Sequence, residues 1–185
     1  MITLLLPSTP ERKHKLAKAI DSVNRSVCNQ PIEILTDISE EEGSVKPTLR
    51  LLEKANDLVM WYNDDLTVES YTFQNLYDAL MREFPKLDGI VLPVESDFFL
   101  CHASILREYL YPGYIHNYSD REIYDILSAE GRTHRVENAI IRHHHPIYEK
   151  NSRLLDRTYA WATGHREEDR ILYEKRKAEG FPRWK

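Results

Sequence analysis

The chain has 185 residues, 42% of them hydrophobic and 30% charged, and a net charge of −5. That length suits one domain at the large end of the single-core range, and the composition is that of an ordinary soluble globular protein. The acidic balance argues against gripping nucleic acid by bulk electrostatics, and no apolar stretch approaches the roughly 20 residues that span a bilayer.

Met1 runs straight into the apolar stretch Ile2 to Leu6, with no basic region before it and Pro7 directly after. This predicts a buried first strand rather than a signal peptide, and hence a cytoplasmic protein. Cys28 and Cys101 match no metal spacing and are expected as free thiols. After the turn Pro7-Ser8-Thr9-Pro10, Leu16, Ala19, Ile20 and Val23 recur at helical spacing from Glu11 to about Asn24, with Thr9 placed to cap the helix. Pro31 to Leu35 reads as strand two, closed by Thr36-Asp37, and a helix follows through Leu49, Leu51, Leu52 and Ala55. Leu58 to Tyr62 reads as strand three, stopping at Asn63-Asp64-Asp65.

A helix from Glu69 to Phe84 and a strand from Gly89 to Val94 come next. Asp97 to His116 is less regular, and its aromatic stretch Tyr109 to Tyr114 suits either packing on a sugar or a packed loop. Ser119 to Glu130 is helical and stops at Gly131, the usual left-handed position after a helix. Arg135 to Ile141 is extended and leads into His143-His144-His145, and the charged tail from Ser152 reads as helix broken at Gly164 and Gly180. Strands alternating with helices predict an α/β, Rossmann-like domain, with a mostly parallel central sheet and helices on both faces. Residues 1–150 form that domain and residues 151–185 a helical C-terminal extension packed on it.

In such a sheet ligands bind beyond the carboxyl ends of the strands. Pro7-Ser8-Thr9, Asp37 and Asn63-Asp64-Asp65 all fall at strand ends, and the histidines follow a late strand. Adjacent carboxylates repel unless a cation lies between them, although Asn and Asp are also favoured in turns. Carboxylate with imidazole suits a Mn²⁺-like ion better than Ca²⁺. Side chains alternate along an extended chain, so His143 and His145 share a face and His144 opposes them. Lys46 or Arg50, before strand three, adds positive charge near a bound anion.

In the order of these segments the chain resembles the GT-A fold glycosyltransferases, in particular the compact inverting enzymes of the family-2 type. Leu4-Leu5-Leu6-Pro7-Ser8-Thr9-Pro10-Glu11-Arg12 is similar to that family's first strand and nucleotide-binding loop. Val59-Met60-Trp61-Tyr62-Asn63-Asp64-Asp65 is similar to its Asp-x-Asp strand, with Asn63 in the place of the first acid. Tyr118-Ser119-Asp120-Arg121-Glu122 resembles the segment carrying the catalytic acid, and His143-His144-His145 the one carrying a metal-binding histidine. The resemblance implies sugar transfer with inversion from a nucleotide-diphosphate donor to an acceptor hydroxyl, with a divalent metal (Mn²⁺ or Mg²⁺) as cofactor. It implies Pro7, Ser8, Thr9, Arg12, Asp37, Lys46, Asn63 and Asp64 at the donor, where Asp37 accepting from the uracil N3–H favours a UDP-sugar. It implies Asp65 with His143 or His145 on the metal, and Asp120 as base, with Glu122 competing for that role. The acceptor stays unassigned; nucleic acid is disfavoured there by the acidic balance, and a homo-oligomer is compatible with everything above. Three rival readings stand beside it: a sugar nucleotidyltransferase, which would need a Gly-rich loop after strand one, a metal-dependent hydrolase, which would turn over with no acceptor present, and a non-catalytic binding or assembly subunit, to which Asn63 points.

Overall fold

The structure, a computed structural model, describes residues 1–40, 42–145 and 156–184. Strand β1 (Ile2–Ser8) is buried along its whole length and lies between two parallel neighbours, β2 (Ile32–Ile38) and β3 (Leu58–Trp61). The six-stranded sheet has the order β2-β1-β3-β6-β5-β7, where β5 is Ile90–Pro93, β6 Leu100–His102 and β7 Thr133–Val136. Only β6 runs antiparallel to its neighbours. A continuous apolar run is what a central strand covered on both faces requires, and the alternation of side chains divides the core in two. Leu5, Val59, Trp61, Ile90 and Leu92 point to one cluster and Ile2, Leu4, Leu6, Met60 and Val91 to the other. The first is covered by α2 (Val45–Leu52), α4 (Ala103–Tyr109) and α5 (Ser119–Ala129), the second by α1 (Lys13–Asn24) and α3 (Thr72–Glu83). The mixed α/β architecture expected from the sequence is present, closed by a C-terminal helix α6 (Arg157–Ala178). No described helix is long and apolar enough to cross a membrane.

Several local expectations are corrected. The segment read as irregular contains β6 and α4, because a three-residue strand is too short to show periodicity. The extended run after Gly131 is two strands, β7 in the main sheet and β8 (Ile141–His143) paired antiparallel with β4 (Leu66–Val68), which was not expected. Gly164 does not break α6: the helix runs through it and stops at Gly180 (φ +74°), since one exposed glycine costs only about 1 kcal/mol. Tyr109 and Tyr114 are core residues, and Arg176 lies 3.7 Å over the Tyr111 ring, so that stretch is a packed loop and no sugar platform. Thr9 stands at the cap position of the short turn Pro10–Arg12, but its hydroxyl pairs with Thr158 rather than capping the backbone. Both cysteines are free.

Candidate functional site

The C-terminal ends of β1 and β3 open into a cavity of about 490 Å³. Its floor is the turn after β3. Asp64 is 2% exposed, accepts from the Ser8 hydroxyl at 2.5 Å, and meets an Arg12 guanidinium nitrogen at 2.9 Å. Asp65 is 6% exposed; its Oδ2 accepts from the Tyr159 hydroxyl at 2.7 Å and lies 3.2 Å from His143 Nε2 and 3.4 Å from Arg12. Two adjacent buried carboxylates are thus separated by a cation that the chain itself supplies. The β4–β8 ladder explains why His143 is there: Leu66 pairs with His143, and the His144 amide donates to the Asp65 carbonyl. Alternation then turns His144 away, to Thr67, while His143 and His145 line the cavity.

Charge at the site follows from burial and partners. Burial pushes the Asp64 carboxyl up to about 6, a rise that Arg12 and Ser8 hold in check. Burial acts the same way on Asp65, yet the His143 bond and charge, with Arg12 and Tyr159, bring it below the usual carboxylate range. The Asp120 carboxyl, in the first turn of α5 on the same cavity, is raised by burial. His116 is lowered to about 4 by burial and by Arg12, and therefore faces the cavity as a neutral imidazole at neutral pH.

Of the residues singled out from the sequence, Pro7, Ser8, Thr9, Arg12, Asn63, Asp64, Asp65, Asp120, His143 and His145 all line this cavity. Asp37 and Lys46 do not. Asp37 sits inside β2 rather than beyond it, and the Arg50 guanidinium bonds it at 2.8 and 3.0 Å, which holds its carboxyl low. Lys46 is exposed on α2, and Arg50 is committed to Asp37 and Glu42. Glu122 faces the opposite way from Asp120: it is 1% exposed, bonded by Arg176 at 2.7 and 2.9 Å and by the Tyr114 hydroxyl at 2.6 Å. Between the two acids, Asp120 is the one with access to a ligand.

The C-terminal helix is a wall of the site. Asp156 caps it, accepting from the Tyr159 amide at 3.0 Å, and also meets Lys15 at 2.6 Å. Thr158 donates its amide and hydroxyl to Glu11 at 2.9 and 2.8 Å, and the Tyr159 ring lies under both Arg12 and Lys15. The helix was expected from Ser152, which lies outside the described residues; that it docks on the β1–α1 turn was not legible in the sequence.

Among the described residues no set of three or more His, Cys, Asp and Glu side chains is grouped to hold a metal ion. Asp65 nevertheless fits a cation, because its Oδ1 is buried with no hydrogen-bond partner among the described residues while His143 stands beside its other oxygen. Two protein ligands suffice where a phosphate and water complete the sphere. Asp64 has both oxygens committed and serves as a support.

No family model and no curated protein matches the sequence. Solved structures do match it in fold. The crystal structure of S. aureus TarS superposes with a TM-score of 0.55 at 9% identity, over 74% of this chain and 35% of that one. The 1–349 form of TarS gives 0.56 at 11% identity over 80% and 63%, and its complex with UDP gives 0.57 at 9% over 74% and 58%. The chain spans less than two thirds of the length of these structures. What this chain shares with TarS is its fold.

Proposed function

We propose that this chain is a glycosyltransferase that moves a sugar from a nucleotide-diphosphate donor, a UDP-sugar by preference, onto an acceptor hydroxyl with inversion. The observation that carries the reading is one cavity with the β1–α1 turn, the Asp64–Asp65 pair and His143 together, and Asp120 on the same wall. The UDP-bound TarS neighbour, in the same fold, supports the choice of nucleotide. Pro7, Ser8 and Thr9 seat the nucleotide at the C-terminal end of β1, where they line the cavity. Arg12, bonded to both carboxylates, fixes their orientation and brings positive charge to the diphosphate. Asp65 and His143 would hold a divalent ion, which when bound offsets the negative charge of a departing diphosphate. Asp120 takes the proton of the acceptor hydroxyl as that oxygen attacks the anomeric carbon from the face opposite the leaving group; a base of this kind contributes about 10²–10⁴-fold. Its raised proton affinity suits it to the task.

The test is calorimetric titration of UDP, with GDP, dTDP and ADP as controls, with and without Mn²⁺. UDP binding that strengthens with Mn²⁺ and disappears in Asp65→Ala supports the reading. Binding of no nucleotide under either condition refutes it, and leaves a non-catalytic subunit of the same fold.

A further inference from the structure

The loop before α5 is held in an unusual way. Asp169, on α6, is 1% exposed, and its carboxylate accepts three successive backbone amides: Ile115 at 2.8 Å, His116 at 2.9 Å and Asn117 at 2.7 Å. The described residues give it no cationic partner. A buried carboxylate is costly unless hydrogen-bonded donors replace its water, and here the donors are all backbone. From the other side the loop is pinned by the turn before α2. The Ser44 hydroxyl donates to the His116 carbonyl at 3.2 Å, and a Cβ on Gly43 would run into the Ile115 carbonyl. Asn117 adds a bond from its side chain to the Ala162 carbonyl at 3.3 Å. What this double clamp fixes is cavity wall: His116, Asn117 and Tyr118 all line the cavity. Tyr118 caps α5 in the left-handed conformation (φ +66°), which a non-glycine residue keeps only when its surroundings enforce it. Two residues on is Asp120.

We propose that Asp169 is a positioning residue of the site: by binding the 115–117 amides it sets the cavity wall and the direction in which α5 presents Asp120. The proposal rests on the transferase reading only for its kinetic consequence; the clamp itself is judged without it. The geometry dictates a graded perturbation. In Asp169→Asn one acceptor oxygen becomes an NH₂ donor, so at least one of the three amides faces a donor instead of an acceptor. Among the described residues, the bonds of the donor seat at Ser8, Arg12 and Asp65 run to Asp64 and Tyr159 and not to Asp169.

The experiment is Asp169→Asn in the full chain, read by amide hydrogen exchange, by UDP calorimetry with Mn²⁺, and by hydrolysis of UDP-glucose and UDP-N-acetylglucosamine to water. Exchange at 115–117 should rise at least tenfold over that of β1 and β3 amides, UDP affinity should stay within threefold, and kcat for UDP-sugar hydrolysis should fall tenfold or more with KM little changed. Freed loop amides with unchanged kcat would overturn the proposal. So would equal losses of kcat and UDP affinity with exchange raised throughout the sheet, the mark of a purely structural residue. If Asp169→Asn does not fold, Gly43→Ala displaces the same loop from its opposite side and must give the same split. A wild type that neither binds UDP nor hydrolyses a UDP-sugar sinks the transferase reading instead, and the exchange comparison alone then decides the clamp: local release supports it, and unchanged loop exchange overturns it.

Discussion

Asp120 and Glu122 are two residues apart in one helical turn, and substituting each separates catalysis from stability. Glu122→Gln removes the charge from a carboxylate that meets Arg176 through contacts of 2.7, 2.9 and 3.2 Å, the side chains being 1% and 8% exposed. Glutamine keeps an acceptor but strands the guanidinium, and breaking a buried pair from one side costs about 3–5 kcal/mol. Against a total stability of about 5–15 kcal/mol, that is a loss of a third or more in most cases, and in a chain of this size it lowers Tm by about 6–20 °C. Asp120→Asn acts in the opposite sense. Burial raises the proton affinity of Asp120 in the folded state, so the folded chain holds that proton more tightly than the unfolded chain. Its ionisation therefore weakens the fold as pH rises through the window above the unfolded value of 3.8. Replacing it with a neutral amide leaves stability at pH 7 equal or greater, while transfer falls by about 10²–10⁴. Urea denaturation of both variants at matched m-value, beside UDP-sugar turnover, provides the readout. A Glu122→Gln cost under about 1 kcal/mol would mean that the ion pair is not the buried clamp described, and undiminished turnover in Asp120→Asn would remove it as the base.

Three more outcomes are expected. Because Asp120 works as a base only when ionised, turnover should fall as pH is lowered, with a midpoint above 3.8; a limb at or below that value, from a pH–rate profile, contradicts the assignment. Arg12→Ala leaves two buried carboxylates facing each other and should cost about 3–5 kcal/mol in denaturant unfolding at pH 7.5; Arg12→Lys, which keeps charge but not the fork, should cost less. Tyr159→Phe leaves Asp65 and Arg12 each short of one hydrogen bond, about 1–3 kcal/mol for the buried group, and should weaken UDP binding in calorimetry; unaltered affinity would detach α6 from the donor site.

The longer strands and helices were legible because the period of the apolar pattern changes visibly along the chain, whereas the short β4, β6, α4 and β8 were not. Leu4-Leu5-Leu6 and Leu58 to Trp61 can only be buried strands, and Leu16, Ala19 and Val23 only a helix face. The acids and histidines of the site were legible for a related reason: strands end at a sheet edge, so residues just past β1 and β3 must meet there. Which of those residues face a ligand depended on partners distant in sequence. Asp37 lost its place to Arg50, Glu122 to Arg176, and Asp64 became a support held by Ser8 and Arg12. No pattern within a strand or helix encodes such pairings, because each ion pair forms between elements whose mutual placement is set by packing. The same holds for α6. Its charged sequence gives a helix, but only the folded chain puts Tyr159 against Asp65 and Asp169 under the 115–117 amides. Sequence settles what short-range sterics and hydrophobic period decide, and tertiary structure settles which buried charges find each other.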